Sequence, residues 1–313
     1  MQTFLIDYSG REFELPALLS WEFSYGDELP CDAFEICFVF DADMLPMLEG
    51  AVRFRAAEDG KTVFIGVVDE FEASVTERGS VVFVCGRSMA ALLLDNEAEA
   101  AEIYGASLDF VLDKYVFPFG VERVKKNSEI RMQMLTVKSG ASCWSVLEDF
   151  LWFGGGIRPR FLPDGTMLVG DEPGKTYVLK DTTSAATQKL KRKRYGVISE
   201  VLVKNRALGA QTVARNEEFL AGGGSCRRVI NVPRYTHYDA MRASGEYQIL
   251  SSKNDEFLFS FVVPELFAAF PGDRFEVQNS PVGVHGSFVV GRSRCFASAD
   301  RAGTEIVLVR RGV

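Results

Sequence analysis

Residues 62–97 constrain this chain more than any other stretch. Thr62-Val-Phe-Ile-Gly-Val-Val-Asp-Glu-Phe-Glu reads as one strand and Ser80-Val-Val-Phe-Val-Cys as a second, with Glu77-Arg-Gly-Ser as the turn between them. The second run passes through Gly86-Arg87 straight into Ser88-Met-Ala-Ala-Leu-Leu-Leu-Asp. That last segment suits a short helix with Ser88 as its N-cap. A hairpin that ends in a helix must bury one face of the sheet and one stripe of the helix, so both need further elements to pack against.

Residues 1–86 supply such elements. Ala33-Phe-Glu-Ile-Cys-Phe-Val-Phe places Phe34, Ile36, Phe38 and Phe40 on one face, the period-2 pattern of a half-buried strand. Val52-Arg-Phe-Arg-Ala continues in that style, and Glu58-Asp-Gly-Lys is a turn signal. Short strands at regular spacing predict a barrel or sandwich. Residues 87–185 change character. Ser107-Leu-Asp-Phe-Val-Leu-Asp-Lys-Tyr predicts a helix with Leu108, Val111, Leu112 and Tyr115 on one stripe, closed by Pro118. A further helix begins at Ser142, buries Trp144, Leu147 and Leu151, and stops at Gly154-Gly-Gly. Two short strands then flank Pro163-Asp-Gly. Residues 186–313 return to β, with Gly222-Gly-Gly-Ser as a flexible loop and late strands near residues 286–291 and 304–310. The expectation is a mainly β chain with an α+β insert: β-barrel-like modules at 1–86 and 186–313 flanking a small α+β domain at 87–185. No fixed-period repeat is present, but the layout suggests two related β modules.

A length of 313 residues fits two or three such units. No run approaches the roughly 20 apolar residues of a membrane-spanning helix. The stretch from Phe257 to Phe270 is broken by Pro264 and Glu265, and the N-terminus lacks the basic and apolar regions of a secretory signal. The six cysteines have no C-x-x-C spacing, so reduced and mostly buried thiols are expected. Charge is unevenly placed. Residues 1–50 carry eleven acidic groups against Arg11 alone, whereas residues 189–234 carry eleven Lys and Arg against three Glu. These are either two solvated faces or surfaces of opposite sign that meet across a subunit contact.

Chemistry is sparse. Gly154-Gly-Gly follows a helix, whereas a phosphate cradle leads into one, and no G-x-x-x-x-G-K-[ST] exists. His237 and His285 are the only histidines, so triads and histidine metal sites are nearly excluded; each reads as a surface or satisfied core residue. The adjacent carboxylates Asp41 and Asp43, Glu148 and Asp149, and Glu217 and Glu218 could serve a glycosidase only if a cleft held two about 5–10 Å apart. Lys189-Leu-Lys-Arg-Lys-Arg could neutralise phosphates. In a chain of pI near 5.1 it reads better as a solvated or inter-subunit edge, where Lys191, Arg192, Lys193 and Arg194 discourage indiscriminate strand pairing. Neither a cofactor nor a metal is expected.

Phe64-Ile-Gly-Val-Val-Asp followed by Val84-Cys-Gly-Arg-Ser-Met-Ala-Ala-Leu-Leu-Leu-Asp-Asn resembles the tail hub family of Mu-like and P2-like phages. That family includes the late control proteins and is related to the N-terminal part of type VI secretion spikes. Gly66, Asp69, Gly86, Arg87, Leu93, Leu94 and Asp95 occupy the motif positions. Cys85, Ser88 and Ala90 depart from the family pattern, which has a small Ser, an Asp and a Thr or Ser there. The resemblance implies a non-enzymatic baseplate hub of a contractile phage or prophage tail, or of a phage-tail-like injection device, located in the virion tail and made in the host bacterial cytoplasm. It implies a homotrimeric ring, each subunit giving two β modules, that joins the tail tube or tape-measure protein to the central spike or needle. DNA would pass the lumen only as cargo. Within that reading Arg87 is a structural tie to carboxylates such as Asp69 or Asp95. Two alternatives stand beside it: a tail-associated cell-wall hydrolase using a carboxylate pair, and a DNA-binding module using residues 189–194.

Overall fold

The computed structural model describes residues 1–26, 30–77, 79–170, 172–180, 187–234, 236, 238–254 and 256–310. His237 lies outside the described residues. The chain is mainly β, as expected.

The first stretch contains β1 (Gln2–Asp7), β2 (Glu12–Glu14), β3 (Leu18–Gly26), β4 (Ala33–Val39), α1 (Leu45–Gly50), β5 (Ala51–Glu58), β6 (Lys61–Thr76) and β7 (Gly79–Ser88). Their order in the sheet is β3-β4-β7-β6-β5-β1-β2, antiparallel throughout. The β5–β6 turn carries positive φ at Asp59 (49°) and Gly60 (74°), the backbone that a two-residue Asp-Gly hairpin requires. Leu5 of β1 and Phe23 of β3 are far apart in strand order but share one buried cluster with Phe34, Phe54 and Phe64. The sheet therefore curls around an aromatic core.

The middle stretch contains α2 (Ala91–Leu94), β8 (Ala101–Ser107), α3 (Leu108–Tyr115), β9 (Val124–Lys126), β10 (Arg131–Val137), α4 (Cys143–Gly155), β11 (Pro159–Phe161) and β12 (Met167–Val169). Ser107 and Ser142 cap α3 and α4 through hydrogen bonds to the amides of Phe110 and Ser145. Gly156, in the left-handed region, closes α4. Ser88 does not cap α2, contrary to expectation. It ends β7, and its Oγ accepts from the Asp32 amide at 3.1 Å, so its capping oxygen is spent across the sheet and the helix starts two residues later.

The last stretch contains β13 (Thr176–Leu179), β14 (Thr187–Arg192), β15 (Glu200–Asn205), β16 (Ala210–Arg215), α5 (Glu217–Ala221), β17 (Arg227–Asn231), α6 (Tyr238–Asn254), β18 (Phe257–Val263), β19 (Arg274–Val277), β20 (Gly286–Ala297) and β21 (Ala302–Val309). The return to β is interrupted. The sheet β16-β15-β17 and helix α6 form a separate unit with its own core around Val201, Val203, Met241 and Ile249. The buried stripe of α6 includes Ser244 and Gly245, which hides its periodicity from a hydropathy reading. A Cβ at Gly245 would lie 3.0 Å from Ala214 Cβ and Val203 Cγ2, so the missing side chain lets the helix settle on the sheet. In Gly222-Gly-Gly, Gly222 caps α5, and the Gly224 amide donates to the Phe219 carbonyl at 2.7 Å.

The remaining strands repeat the first module. The order β14-β18-β21-β20-β19-β13 matches β3-β4-β7-β6-β5-β1, although β13 runs parallel to its neighbour where β1 runs antiparallel. Strand β20 pairs with β3, which joins both sets into one 13-stranded sheet. The unit built on β15–β17 is an insertion between β14 and β18, where the first module needs only residues 27–32.

Candidate functional site

The motif residues meet at a β-bulge. Pairing between β6 and β7 runs Gly66 to Ser88, Val67 to Arg87 and Val68 to Gly86, then resumes at Glu70 with Cys85. Asp69 is the extra residue, and a bulge re-aims its side chain. The glycines permit the close crossing. A Cβ at Gly86 would sit 2.0 Å from the Val67 carbonyl oxygen, and one at Gly66 would sit 2.1 Å from that of Arg87. Backbone oxygens cannot swing aside, so both positions require glycine.

Arg87 uses the geometry as a double fork. Its Nε and Nη2 donate to Asp69 at 2.7 and 2.8 Å, and its Nη1 and Nη2 donate to Asp95 at 3.0 and 2.7 Å. Hydrogen bonds to Asp69 first, and to Asp95 second, push the guanidinium pKa further up; the bond from Arg87 pulls the Asp95 carboxyl down. The group is about a third exposed, so each pair contributes modestly, on the order of 0.2–1 kcal/mol. The fork clamps the exit of β7 onto the end of α2. Leu93 is buried beneath it in the core of the middle unit, and Leu94 packs on that core from its edge.

The basic run lies on the outermost strand of the large sheet. β14 pairs with β18 along one side, and no strand pairs with its other side among the described residues. Lys189 and Lys191 are exposed. Arg192 lies over the Phe257 ring, Lys193 over the Tyr195 ring, and Arg194 donates to the Gly222 carbonyl at 3.0 Å. The structure therefore splits the run: its front projects outward, and its end ties β14 to α5.

A cavity of about 230 Å³ lies where the first module, the middle unit and the second module meet. Asp32, Arg160, Lys175 and Asp273 border it. The Asp273 carboxylate accepts from the amides of Lys175 and Phe270, which fixes the loops at the seam. Burial raises the Asp32 carboxyl to about 7, against the Gly26 amide bond and the charge of Arg160, which lower it. Asp32 keeps part of its surface on the cavity, so water there tempers the shift. None of the three adjacent carboxylate pairs borders this cavity. Asp41 caps a 3₁₀ turn, Glu148 faces Arg158 at 3.9 Å, and Glu218 faces Lys253 at 3.4 Å. Among the described residues no cluster of His, Cys, Asp and Glu could hold a metal ion. His285 is exposed, and the six cysteines are free thiols, of which Cys37, Cys143 and Cys295 are buried. No described helix is long and apolar enough to cross a membrane.

The second module also reaches into the first. Phe267, at φ 51°, stacks on Trp21 at 5.6 Å and on Phe23 at 5.9 Å, and Arg294 of β20 faces Glu22 of β3 at 3.2 Å. A left-handed phenylalanine is costly and persists only where its surroundings hold it. Nothing local in the sequence signals Phe267 or the pairing of Arg294 with Glu22, since each partner comes from a distant segment; Asp32 bonds the nearby Gly26 amide but meets the charge of Arg160 only across the seam.

No protein-family model matches the chain, and no curated protein matches it in sequence. Its structure is similar to many solved ones. The tail protein from Neisseria meningitidis MC58 superposes with a TM-score of 0.79 at 18% identity, covering 98% of this chain and 96% of that one. The 43 kDa tail protein of prophage MuSo2 from Shewanella oneidensis gives 0.81 at 15% identity, covering 99% and 98%. The E. coli c3393 protein, a component of the type VI secretion system, gives 0.56 at 11% identity, covering 94% and 74%. The chain has the fold of phage and prophage tail proteins, shared with a type VI secretion component. The resemblance carried by residues 62–97 thus extends over the whole chain at the level of the fold.

Proposed function

We propose that this protein is a structural, non-enzymatic hub of a phage or prophage tail baseplate. It forms a trimeric ring that joins the tail tube or tape-measure protein to the central spike or needle, and DNA crosses it as cargo. It is made in the host cytoplasm and resides in the virion tail. The observation that carries this reading is the full-length fold match to two tail proteins, one of them from a prophage, with both β modules and the middle unit included. The module boundary near residue 86 suits that role, with Gly66, Asp69, Gly86, Arg87 and Asp95 as a structural joint; the second module begins before the expected residue 186, because β13 (Thr176–Leu179) pairs with β19 of its sheet. The basic edge at Lys191, Arg192, Lys193 and Arg194 is an inter-subunit surface in this scheme. An open sheet edge invites pairing, and closed cyclic symmetry satisfies it.

Electron microscopy of the purified protein, alone and with the tube and spike proteins from the same tail, tests the reading. Closed rings with threefold symmetry are the expected result. A monomer that never enters a ring or a tail would overturn it.

A further inference from the structure

The repeat of strand order assigns partners to two open edges. Each module has one long strand with a bulge: β6 at Asp69 and β20 at Gly291. Aligning the bulges matches Glu70 to Arg292 and Glu72 to Arg294. Continuing through the ladders β7–β4–β3 and β21–β18–β14 matches Glu22 of β3 to Lys189 of β14. The buried positions agree, since Phe34 and Ile36 of β4 fall on Phe259 and Phe261 of β18.

Within the chain, the part of β20 beyond its bulge pairs antiparallel with β3, from Arg292 with Gly26 to Ala297 with Trp21. Among the described residues, the equivalent part of β6, residues 70–75, pairs only with β7. The equivalent of β3 is β14, whose outer side no described strand occupies. From this geometry we infer that β14 of one copy pairs antiparallel with residues 70–75 of β6 in a second copy, reproducing the β20–β3 junction between subunits. The inference rests on the ring reading above and supplies its contact.

Charge agrees with this register. The internal junction holds a basic residue on the long strand, Arg294, against an acidic one on its partner, Glu22. Between copies the signs are exchanged. Carrying over the β20–β3 register sets Glu72 directly opposite Lys191, diagonal to Lys189, with Ser74 opposite Lys189. Opposite charges across strands favour pairing, and a slipped register would lose them. The apolar groups agree as well. Phe23 is covered by Phe267 from the connection after β18; its equivalent, Leu190, is 36% exposed, and the matching connection after β4 presents Leu45 at 40%.

Charge exchange and cross-linking test the pairing in the full-length protein. Glu72→Lys alone, or Lys189→Glu with Lys191→Glu, is expected to weaken self-association by about tenfold or more, measured by sedimentation; combining all three restores it. Circular dichroism of each variant checks folding. Ser74→Cys mixed with Lys189→Cys is expected to give an oxidant-dependent covalent dimer between chains. Rings that form without this cross-link and ignore the charge exchange would overturn the pairing while leaving the hub reading intact. A chain that shows neither self-association nor rings with its tail partners would overturn both.

Discussion

The two β modules share a strand order but lock their bulges by different means. In the first, Asp69 occupies the bulge and receives Arg87, so the crossing of β6 and β7 is fixed by backbone contact and a double ionic fork. In the second, Gly291 occupies the bulge, and a Cβ there would meet the Val309 Cγ1 at 3.0 Å, a side chain rather than a carbonyl. The first junction also launches the chain into the middle unit, whereas the second bulge lies within the β20–β21 hairpin. A joint that redirects the chain needs a rigid exit; a hairpin needs only a tolerated irregularity.

The sharpest way to break this contrast is a methyl group at each glycine. Gly86→Ala forces the Val67 carbonyl and the Phe34 ring apart, and we expect a loss of about 3 kcal/mol or more in denaturant unfolding. Gly291→Ala should cost about 1 kcal/mol or less, because Val309 can rotate. Equal costs would remove the distinction.

The seam between modules gives the next largest effect. The Asp32 carboxyl sits above its ordinary value, so its contribution to stability is full below about pH 4 and is lost as pH rises through about 7. Asp32→Asn keeps an oxygen for the Gly26 amide. It should stabilise the protein on the order of 2 kcal/mol at pH 8 and have little effect at pH 4. Thermal melts across that range check it, and a pH-independent difference would count against a titrating Asp32.

The fork itself comes third. Arg87→Ala should lower stability by about 1–2 kcal/mol and impair ring assembly. The Asp95 part of that contribution has the opposite pH sense: its lowered pKa makes it present above about pH 4 and lost in acid. Wild-type melting and wild-type assembly in Arg87→Ala would show that the fork is idle. Smallest is the pair Arg294 and Glu22, both more than a third exposed, for which a double-mutant cycle should return less than about 1 kcal/mol.

The strands were legible wherever one face is buried and the other wet, as in β4, and the caps of α3 and α4 were legible because Ser107 and Ser142 bond to amides three residues on. Helix α6 was not, because a glycine and a serine lie on its buried stripe. Of the candidate site, the motif glycines and Arg87 stand out in the sequence, but their reason does not. That reason is a carbonyl belonging to the neighbouring strand.

The sequence by itself determined the mainly β character, the helical middle and the joint at residues 62–97, since periodicity, capping and turn chemistry act over a few residues. Only the tertiary structure decided that the last β stretch is split by an inserted unit. It alone revealed that β20 fuses the modules into one sheet, that Phe267 plugs the first core, and that β14 and the far half of β6 carry edges of opposite charge that no described strand occupies. Those features depend on which distant strands become neighbours, and pairing across hundreds of residues leaves no local pattern to read.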